Sequence, residues 1–417
     1  MVNIGKEIKA SIPRDILSLI KDAGELAAEG GHRLYLVGGV VRDIFLRRPN
    51  FDLDLALEGD APSLARELAK IRNGRVVTHA HFGTATFKKA EISLDLVTAR
   101  SETYSRPGAL PAVKPGRIDD DLFRRDFTIN GMAASLEPDR FGELVDPYGG
   151  KSDLARGLIR VLHKDSFRDD PTRIWRAIRY EQRLDFNLEQ ETERLLRRDV
   201  FLMGKVSGDR LRHELERILE EDRPEKALRR AAELGALQQL LTSLEGNGWL
   251  ARRFQAARKS SEQRKPDSGI YLALLVWRLE NDDIEAFVER LRFGSEVSKA
   301  LRDIPKMKQT FFALTVQRIK PSAICRLLES HRQQTIVAAS LAVDSALVRR
   351  RLKHYLSRLR FVSPDLSGED LKKMGVPQGK KLGALLGSLK EARLDGVVKT
   401  REEEEELVRK WLSEEKK

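Results

Sequence analysis

Cysteine is all but missing from this 417-residue chain: Cys325 stands alone. That excludes an internal disulfide framework and any cluster of thiolate metal ligands. Histidine is sparse as well, with 7 residues and no HExxH arrangement. His79 and His81 sit two apart in VVTHAHFGT, but two imidazoles without a third ligand read as strand surface rather than as a zinc site. No apolar run approaches a membrane span, and the opening MVNIGKEIKASIPRD holds no apolar signal core. The expectation is a reduced, soluble, cytoplasmic protein with neither a membrane nor a protein partner. Acidic residues are the last deficit: 64 Asp and Glu stand against 76 Lys and Arg, a formal charge of +12. A surplus of that size points to a polyanion, nucleic acid before membrane.

What is present excludes wholesale disorder, because 41% of residues are hydrophobic and a disordered chain lacks that content. At roughly 100–200 residues per domain, the length predicts about two to four domains. Residues 1–150 alternate between helical and strand patterns. Ile16, Leu17, Ile20 and Leu26 have helical spacing over 13–28, and a strand over 34–37 ends in Gly38–Gly39. Over 51–57 the chain alternates strictly, with Phe51, Leu53, Leu55 and Leu57 on one face and Asp52 and Asp54 on the other. A helix over 61–71 and strands over 84–88 and 92–97 follow. Beyond Gly150 the strand signals nearly stop, and Leu-rich helical patterns run on, broken at Pro224, Pro266, Pro305, Pro321 and Pro364. The run 402–406, all Glu, reads as a solvated stretch of the last helix. The fold class is α+β: a mixed sheet with helices, then an all-α remainder.

Four segments carry chemistry. In LVGGVVRD (36–43), paired glycines let backbone approach an anion, and Arg42 can grip phosphate from the next helix. In the next strand, Asp52 and Asp54 share a face, where two carboxylates repel unless something neutralises them. Mg²⁺, which takes one or two carboxylates plus substrate phosphates, meets that need. Asp95, in SLDLVTAR, supplies a third carboxylate if its strand neighbours the first. In DLFRRDFTINGMA (121–133), Arg124 and Arg125 beside Asp126 form either a buried ion-pair hub or a triphosphate clamp. In FRDDPTRIWRAIRY (167–180), Pro171 suits the first position of a helix, which makes Asp170 its N-cap. Arg173, Arg176 and Arg179 follow, the first two sharing a stripe with Asp170, while Ile174 and Ile178 form the apolar face.

Taken in order, LVGGVVRD, DLD, RRDFTING, DPYGGKSDL, DDPTRIWRAIRY and VSGDRLRHELERIL resemble the class II template-independent tRNA nucleotidyltransferases, a family that includes CCA-adding enzymes, relatives adding only CC or only A, and bacterial poly(A) polymerases. Small departures are Gly131, Trp175 and Asp169, where alanine, leucine and glutamate are common. The resemblance implies a polymerase-beta-like nucleotidyltransferase head over 1–150. A helical neck over 151–225, a body over 226–325 and an RNA-binding tail over 326–417 would follow. It implies Asp52 and Asp54 as ligands of catalytic Mg²⁺ with Asp95 beside them. Gly38, Gly39, Arg42 and Arg125 become nucleotide contacts, and Asp170, Arg173, Arg176 and Arg179 the neck residues that bind the incoming ATP or CTP. Cytosine and adenine both pair an unprotonated ring nitrogen with an exocyclic amine, so an Asp170 acceptor and an Arg173 donor admit them and reject uracil and guanine.

The segment 101–116, SETYSRPGALPAVKPG, has the full length of the loop that A addition requires in this family, which argues against CC-only addition. CCA addition and A-only addition stay open. The partner is then the 3′ acceptor end of tRNA. Poly(A) polymerase is the nearer alternative, although no GRRFR-like stretch is present. A non-catalytic RNA-binding protein with an inactive head, and a nucleotidyltransferase of small molecules, are the alternatives of other classes. Between Val348 and Phe361 lie Arg349, Arg350, Arg351, Lys353, Arg358 and Arg360 without a carboxylate. Arg349, Arg350, Arg351 and Lys353 are the candidate contacts to RNA phosphates.

Overall fold

The structure is a computed structural model that describes residues 2–79, 83–261 and 265–414. The chain forms two compact units, Met1–Glu221 with Lys226–Leu240, and Asp222–Glu225 with Leu241–Lys417. Among the described residues, no helix is long and apolar enough to cross a membrane. His81 lies outside the described residues, and with it the His79/His81 pair.

The first unit is built on a seven-stranded sheet. Its strands are β1 (Arg33–Val37), β2 (Leu53–Glu58), β3 (Arg75–His79), β4 (Thr84–Lys89), β5 (Ile92–Thr98), β8 (Ala133–Ser135) and β9 (Leu144–Val145), in the order β3-β4-β5-β2-β1-β8-β9. Only β2 and β5 run parallel; the other neighbours are antiparallel. A separate hairpin pairs β6 (Arg100–Thr103) with β7 (Ala112–Pro115). Leu53, Leu55 and Leu57 are buried on one face of β2. Helices α2 (Arg14–Glu29) and α4 (Ala61–Arg72) pack against each other and against the sheet, α2 on β1 and α4 on β3, β4 and β5. Helix α4 starts with Pro62 in its first turn and stops at Asn73 in the left-handed region (φ 51°), a common way for a helix to end. Tyr35, Val37, Ala56 and Ala133 form a second small core with Ile118 and Leu122 of α5 (Ile118–Phe123).

Two expectations change here. The strand over 51–57 begins only at Leu53, and Phe51 is 55% exposed. Pairing with β1 ends at Val37↔Asp54; beyond it the partner strand turns away through Gly38–Gly39, so residues 51 and 52 have no β1 residue to pair with. Edge strand β3 and the polar β6–β7 hairpin carry too little alternation to announce themselves.

After Gly150, strand structure in the described residues shrinks to the pairing of Leu158–Ile159 with Asn187–Leu188. Helices α7 (Ser166–Asp169), α8 (Arg173–Leu184) and α10 (Gly208–Leu219) complete the part of this unit that matters for the site. Helix α8 starts two residues later than Pro171 suggests. Asp170 is extended, and it accepts the backbone N–H of Thr172 at 3.0 Å, closing a local turn ahead of the helix rather than capping it.

The second unit is helical in its described residues. Pro224 and Pro321 open helices, Pro305 sits in a first turn, and Pro266 and Pro364 lie in connections. The Glu run is not wholly solvated. Glu404 is fully buried, accepting the N–H groups of Asp365 (3.2 Å) and Leu366 (2.9 Å) and pairing with Arg393 at 2.6 Å. The basic helix spans Ala346–Ser357, and Arg358 (φ −137°) breaks it before a 3-10 turn at Leu359–Phe361. Val348, Leu352 and Tyr355 are buried as its apolar stripe, and Leu359 is buried in the turn beyond it.

Candidate active site

Sheet register builds the site. Because Val37 pairs with Asp54 in antiparallel register, the turn that leaves β1 at Gly38 stands beside the Asp54 carboxylate. Gly38 has φ +78°, and a Cβ there would stand 2.9 Å from Nη1 of Arg125 and 3.6 Å from Oδ2 of Asp54. Only glycine combines that conformation with that proximity. Gly38, Gly39, Asp52 and Asp54 line a cavity of about 1090 Å³ whose further lining includes Arg125, Asp170 and the arginines of α8.

Burial pushes the Asp54 carboxyl up to about 6; the Arg125 charge opposes this, and Asp52, Asp95 and Asp121 add to it. Such a carboxylate is undercompensated by protein alone, and the pair with Asp52 fits a hard divalent cation whose other ligands are water and phosphate oxygens. Asp95 is the parallel register partner of Asp54. Its Oδ1 accepts the Thr86 hydroxyl at 2.7 Å, and it is absent from the cavity lining. Its charge is one of those that raise the Asp54 carboxyl. Among the described residues, no group of three or more His, Cys, Asp or Glu side chains is arranged to hold a metal.

The arginines are held by carboxylates, some adjacent in sequence and some far from it. Arg42 is buried, donating to both oxygens of Asp43 (2.8 and 2.9 Å) and to Asn130 (2.8 Å). Asp121, fully buried, receives Arg124 and Arg125, each at 2.7 Å. Burial alone would raise Asp121, but the charges of Arg125 and Arg124 outweigh it and hold the group below the usual carboxylate range. Asp126 pairs instead with Arg176, through Nε (2.8 Å) and Nη2 (2.6 Å). The hub expected at Arg124–Arg125–Asp126 is thus two hubs, centred on Asp121 and Asp126. Arg173 is buried and gives Nη1 to Ser166 (Oγ, 2.7 Å) and Nη2 to the carbonyl of Arg124 (2.6 Å). Arg179 is the least committed: Nη1 reaches Glu221 only at 3.5 Å and Nε has no partner. Arg42, Arg176 and Arg179 surround the Tyr180 ring at 5.3, 5.9 and 4.9 Å, within cation–π distance.

One face of α10 joins the site without having been assigned a role from sequence. Arg210, His213, Glu214 and Arg217 all line the cavity, and their i, i+3, i+4, i+7 spacing was the available signal. Glu214 is 7% exposed with an unpartnered Oε2, and burial pushes its carboxyl up. Tyr104 and Phe51 also line the cavity.

Arg349, Arg350, Arg351 and Lys353 belong to the second unit and are no part of this lining. Two of them are engaged: Arg349 donates to the Val343 carbonyl (2.5 Å), and Arg351 to the carbonyls of Leu314 (2.6 Å) and Gln317 (2.9 Å). Arg350 and Lys353 are exposed.

Comparison with known proteins adds to the geometry. Residues 34–160 match a family model described as the poly A polymerase head domain, and residues 185–246 one described as a probable RNA and SrmB-binding site of polymerase A. The A-adding tRNA nucleotidyltransferase of Aquifex aeolicus is 36% identical over 86% of this chain and 44% of its own length. That of Halalkalibacterium halodurans is 33% identical over 88% of this chain and 86% of its own. The chain spans about half the length of the first curated relatives it matches. Among solved structures, the Thermotoga maritima CCA-adding enzyme complexed with tRNA_CCA superimposes with a TM-score of 0.78 at 32% identity, covering 99% of both chains.

Proposed function

The chain belongs to the family of template-independent tRNA nucleotidyltransferases and poly(A) polymerases, and from that premise we propose that it adds nucleotides of the CCA end to the 3′ terminus of tRNA from ATP and CTP, releasing pyrophosphate. One observation carries the reading: the register that sets Asp54 beside Gly38, in a cavity whose lining also includes Asp52 and the Arg173–Arg176–Arg179 row. Mg²⁺ held by Asp52 and Asp54 would lower the pKa of the RNA 3′-hydroxyl and stabilise the departing pyrophosphate. The chain's own residues do the rest. Gly38 and Gly39 leave room for the triphosphate, and Arg125, whose Nη1 stands against Gly38, supplies positive charge beside it. Arg42, oriented by Asp43 and Asn130 and lining the same cavity, is the other contact to the triphosphate. Asp170 and Arg173 read the base edge, and Arg176 and Arg179 hold the nucleotide against α8.

The same proposal divides the chain into head (1–150), neck (151–225), body (226–325) and tail (326–417), places RNA phosphates on Arg350 and Lys353, and puts the protein in the cytoplasm with its tRNA. AMP transfer is common to the CCA-adding and A-adding forms of the reading. Transcripts ending before CCA, after C and after CC, each given CTP or ATP alone and resolved at one nucleotide, separate the two. AMP added only after CC identifies an A-adding enzyme, CMP added earlier a CCA-adding one, and long untemplated A tails a poly(A) polymerase. Binding without transfer on any transcript overturns the proposal in favour of an inactive head.

A further inference from the structure

Among the described residues, Phe51 alone of the exposed large hydrophobic side chains lines the active-site cavity. A single exposed phenylalanine on an open surface needs no explanation. This one directly precedes Asp52, and the chain that carries it is held. The backbone N–H of Arg48 donates to the Asp43 carbonyl at 2.9 Å, and Nδ2 of Asn50 donates to the Asp43 carboxylate at 2.7 Å. Oδ1 of Asn50 in turn accepts the backbone N–H of Asp52 at 3.0 Å, closing an asparagine turn over Phe51. Asp43 is itself buried and fixed by Arg42. Both neighbours of Phe51 are thus tied, directly or through Asn50, to a buried carboxylate, while the ring is left 55% exposed in the cavity wall. The stretch 44–51, IFLRRPNF, holds two arginines and no carboxylate, and Arg47 and Arg48 are exposed.

We propose that Phe51 is the stacking platform for the 3′-terminal base of the RNA, the base of the nucleotide whose hydroxyl is extended. The ribose that carries the attacking hydroxyl also carries that base. A hydroxyl brought to Asp52 and Asp54 therefore brings its base to their immediate surroundings, where Phe51 is the adjoining residue. The residues assigned to the incoming base lie in another part of the lining, at Asp170 and Arg173. A phenyl ring has neither donor nor acceptor, so it grips a base by its face and is indifferent to its edge. That suits a site that must hold whichever base ends the RNA, and it leaves selection to the polar residues. Arg47 and Arg48 give the same stretch the charge that an RNA backbone seeks. The held loop adds to the effect, because a platform fixed before binding has little freedom to lose when the base arrives.

The inference rests on the proposed function, so the test pairs a measurement of transfer with one that needs no transfer. Full-length wild type is compared with Phe51→Leu, Phe51→Ala and Phe51→Tyr, on tRNA ending in CC and on the same tRNA with 5-iodocytidine as its last base. Irradiation without any nucleoside triphosphate should crosslink that base to residue 51 in wild type and in Phe51→Tyr, as mapped by peptide mass spectrometry, and should not do so in Phe51→Leu. With ATP, Phe51→Leu and Phe51→Ala should raise KM for the RNA by about 10-fold, the scale of one base–aromatic stack. KM for ATP and discrimination against UTP and GTP should stay at the wild-type values, and Phe51→Tyr should restore KM for the RNA. Leucine keeps the apolar bulk and loses the π-face, so a wild-type KM for the RNA in Phe51→Leu overturns stacking. A rise in KM for ATP in place of that for the RNA assigns the ring to the incoming base and overturns the proposal, as does a crosslink that maps away from residue 51. A lower melting temperature with KM for the RNA unchanged makes Phe51 a packing residue and also overturns it. Any of these results with an active wild type defeats this inference alone. A wild type inactive on every transcript overturns the parent reading.

Discussion

Arginines behave differently in the two units. Around the cavity of the first, four guanidinia are locked to carboxylates: Arg42 to Asp43, Arg125 to Asp121, Arg176 to Asp126, Arg210 to Asp170. On the basic helix of the second, no carboxylate intervenes; Arg349 and Arg351 spend donors on backbone carbonyls, while Arg350 and Lys353 are exposed. Locked arginines keep geometry and can discriminate. Exposed ones keep charge and can only attract. A cluster of cations in a sequence therefore counts charge correctly and assigns it badly, because some of the partners that decide its use, Asp126 for Arg176 and Asp170 for Arg210, come from elsewhere in the chain.

The comparison breaks first at the carboxylates that have no arginine locked to them. Asp52→Ala and Asp54→Ala should each lower nucleotide transfer by at least about 100-fold, the scale of losing an essential electrostatic stabiliser, while a filter-binding assay shows tRNA affinity largely retained. Substantial Mg²⁺-dependent activity in either variant would overturn the metal assignment.

Buried partners should show the next largest effect. Glu404→Ala removes the acceptor of Asp365 and Leu366 N–H and of Arg393, and should cost about 3 kcal/mol, as expected when a buried charge-assisted network loses its centre. Glu402→Ala, on the exposed side of the same helix, should leave stability far closer to that of the wild type. Urea melts of the two variants decide it, and equal values would return the whole Glu run to solvated surface.

The third effect is one of pH. Asp54 sits at about 6 rather than the ordinary 3.8, so without a cation its contribution to stability is present below about pH 4 and fades as pH rises through about 6. A divalent cation reverses that by favouring the ionised form. Thermal stabilisation by Mg²⁺ should therefore grow between about pH 5 and pH 7, and Asp54→Asn should flatten the profile. An equal Mg²⁺ shift at both ends would remove Asp54 from the ligand set.

The smallest effect separates cations within the basic helix. Neutralising Arg350 and Lys353 together should reduce the log–log salt slope of tRNA binding by about 0.7–0.9 for each phosphate that is no longer neutralised. Arg351→Ala should leave that slope unchanged and lower the melting temperature, because its donors hold the carbonyls of Leu314 and Gln317. A slope change in Arg351→Ala with no loss of stability would erase the distinction between held and exposed cations.

Local pattern alone determined a good deal of this protein. The alternation through Leu53, Leu55 and Leu57 set one face of β2 into the core and left Asp54 on the other. Gly38–Gly39 marked the turn out of β1, and the 3.6-residue period placed Ile174 and Ile178 inside and the arginines of α8 towards one side. These are properties of neighbours in sequence, fixed by backbone geometry at short range. Partnership was decided only by the tertiary structure. Asp126 is taken by Arg176, 50 residues away, and Asp170 by Arg210, 40 residues away. Glu404, in an unbroken acidic run, is buried because two N–H groups and Arg393 meet it there. Periodicity says which way a side chain points; it carries no information about which distant charge waits on that side, and in a low-dielectric interior that charge decides whether the group is buried, held or free.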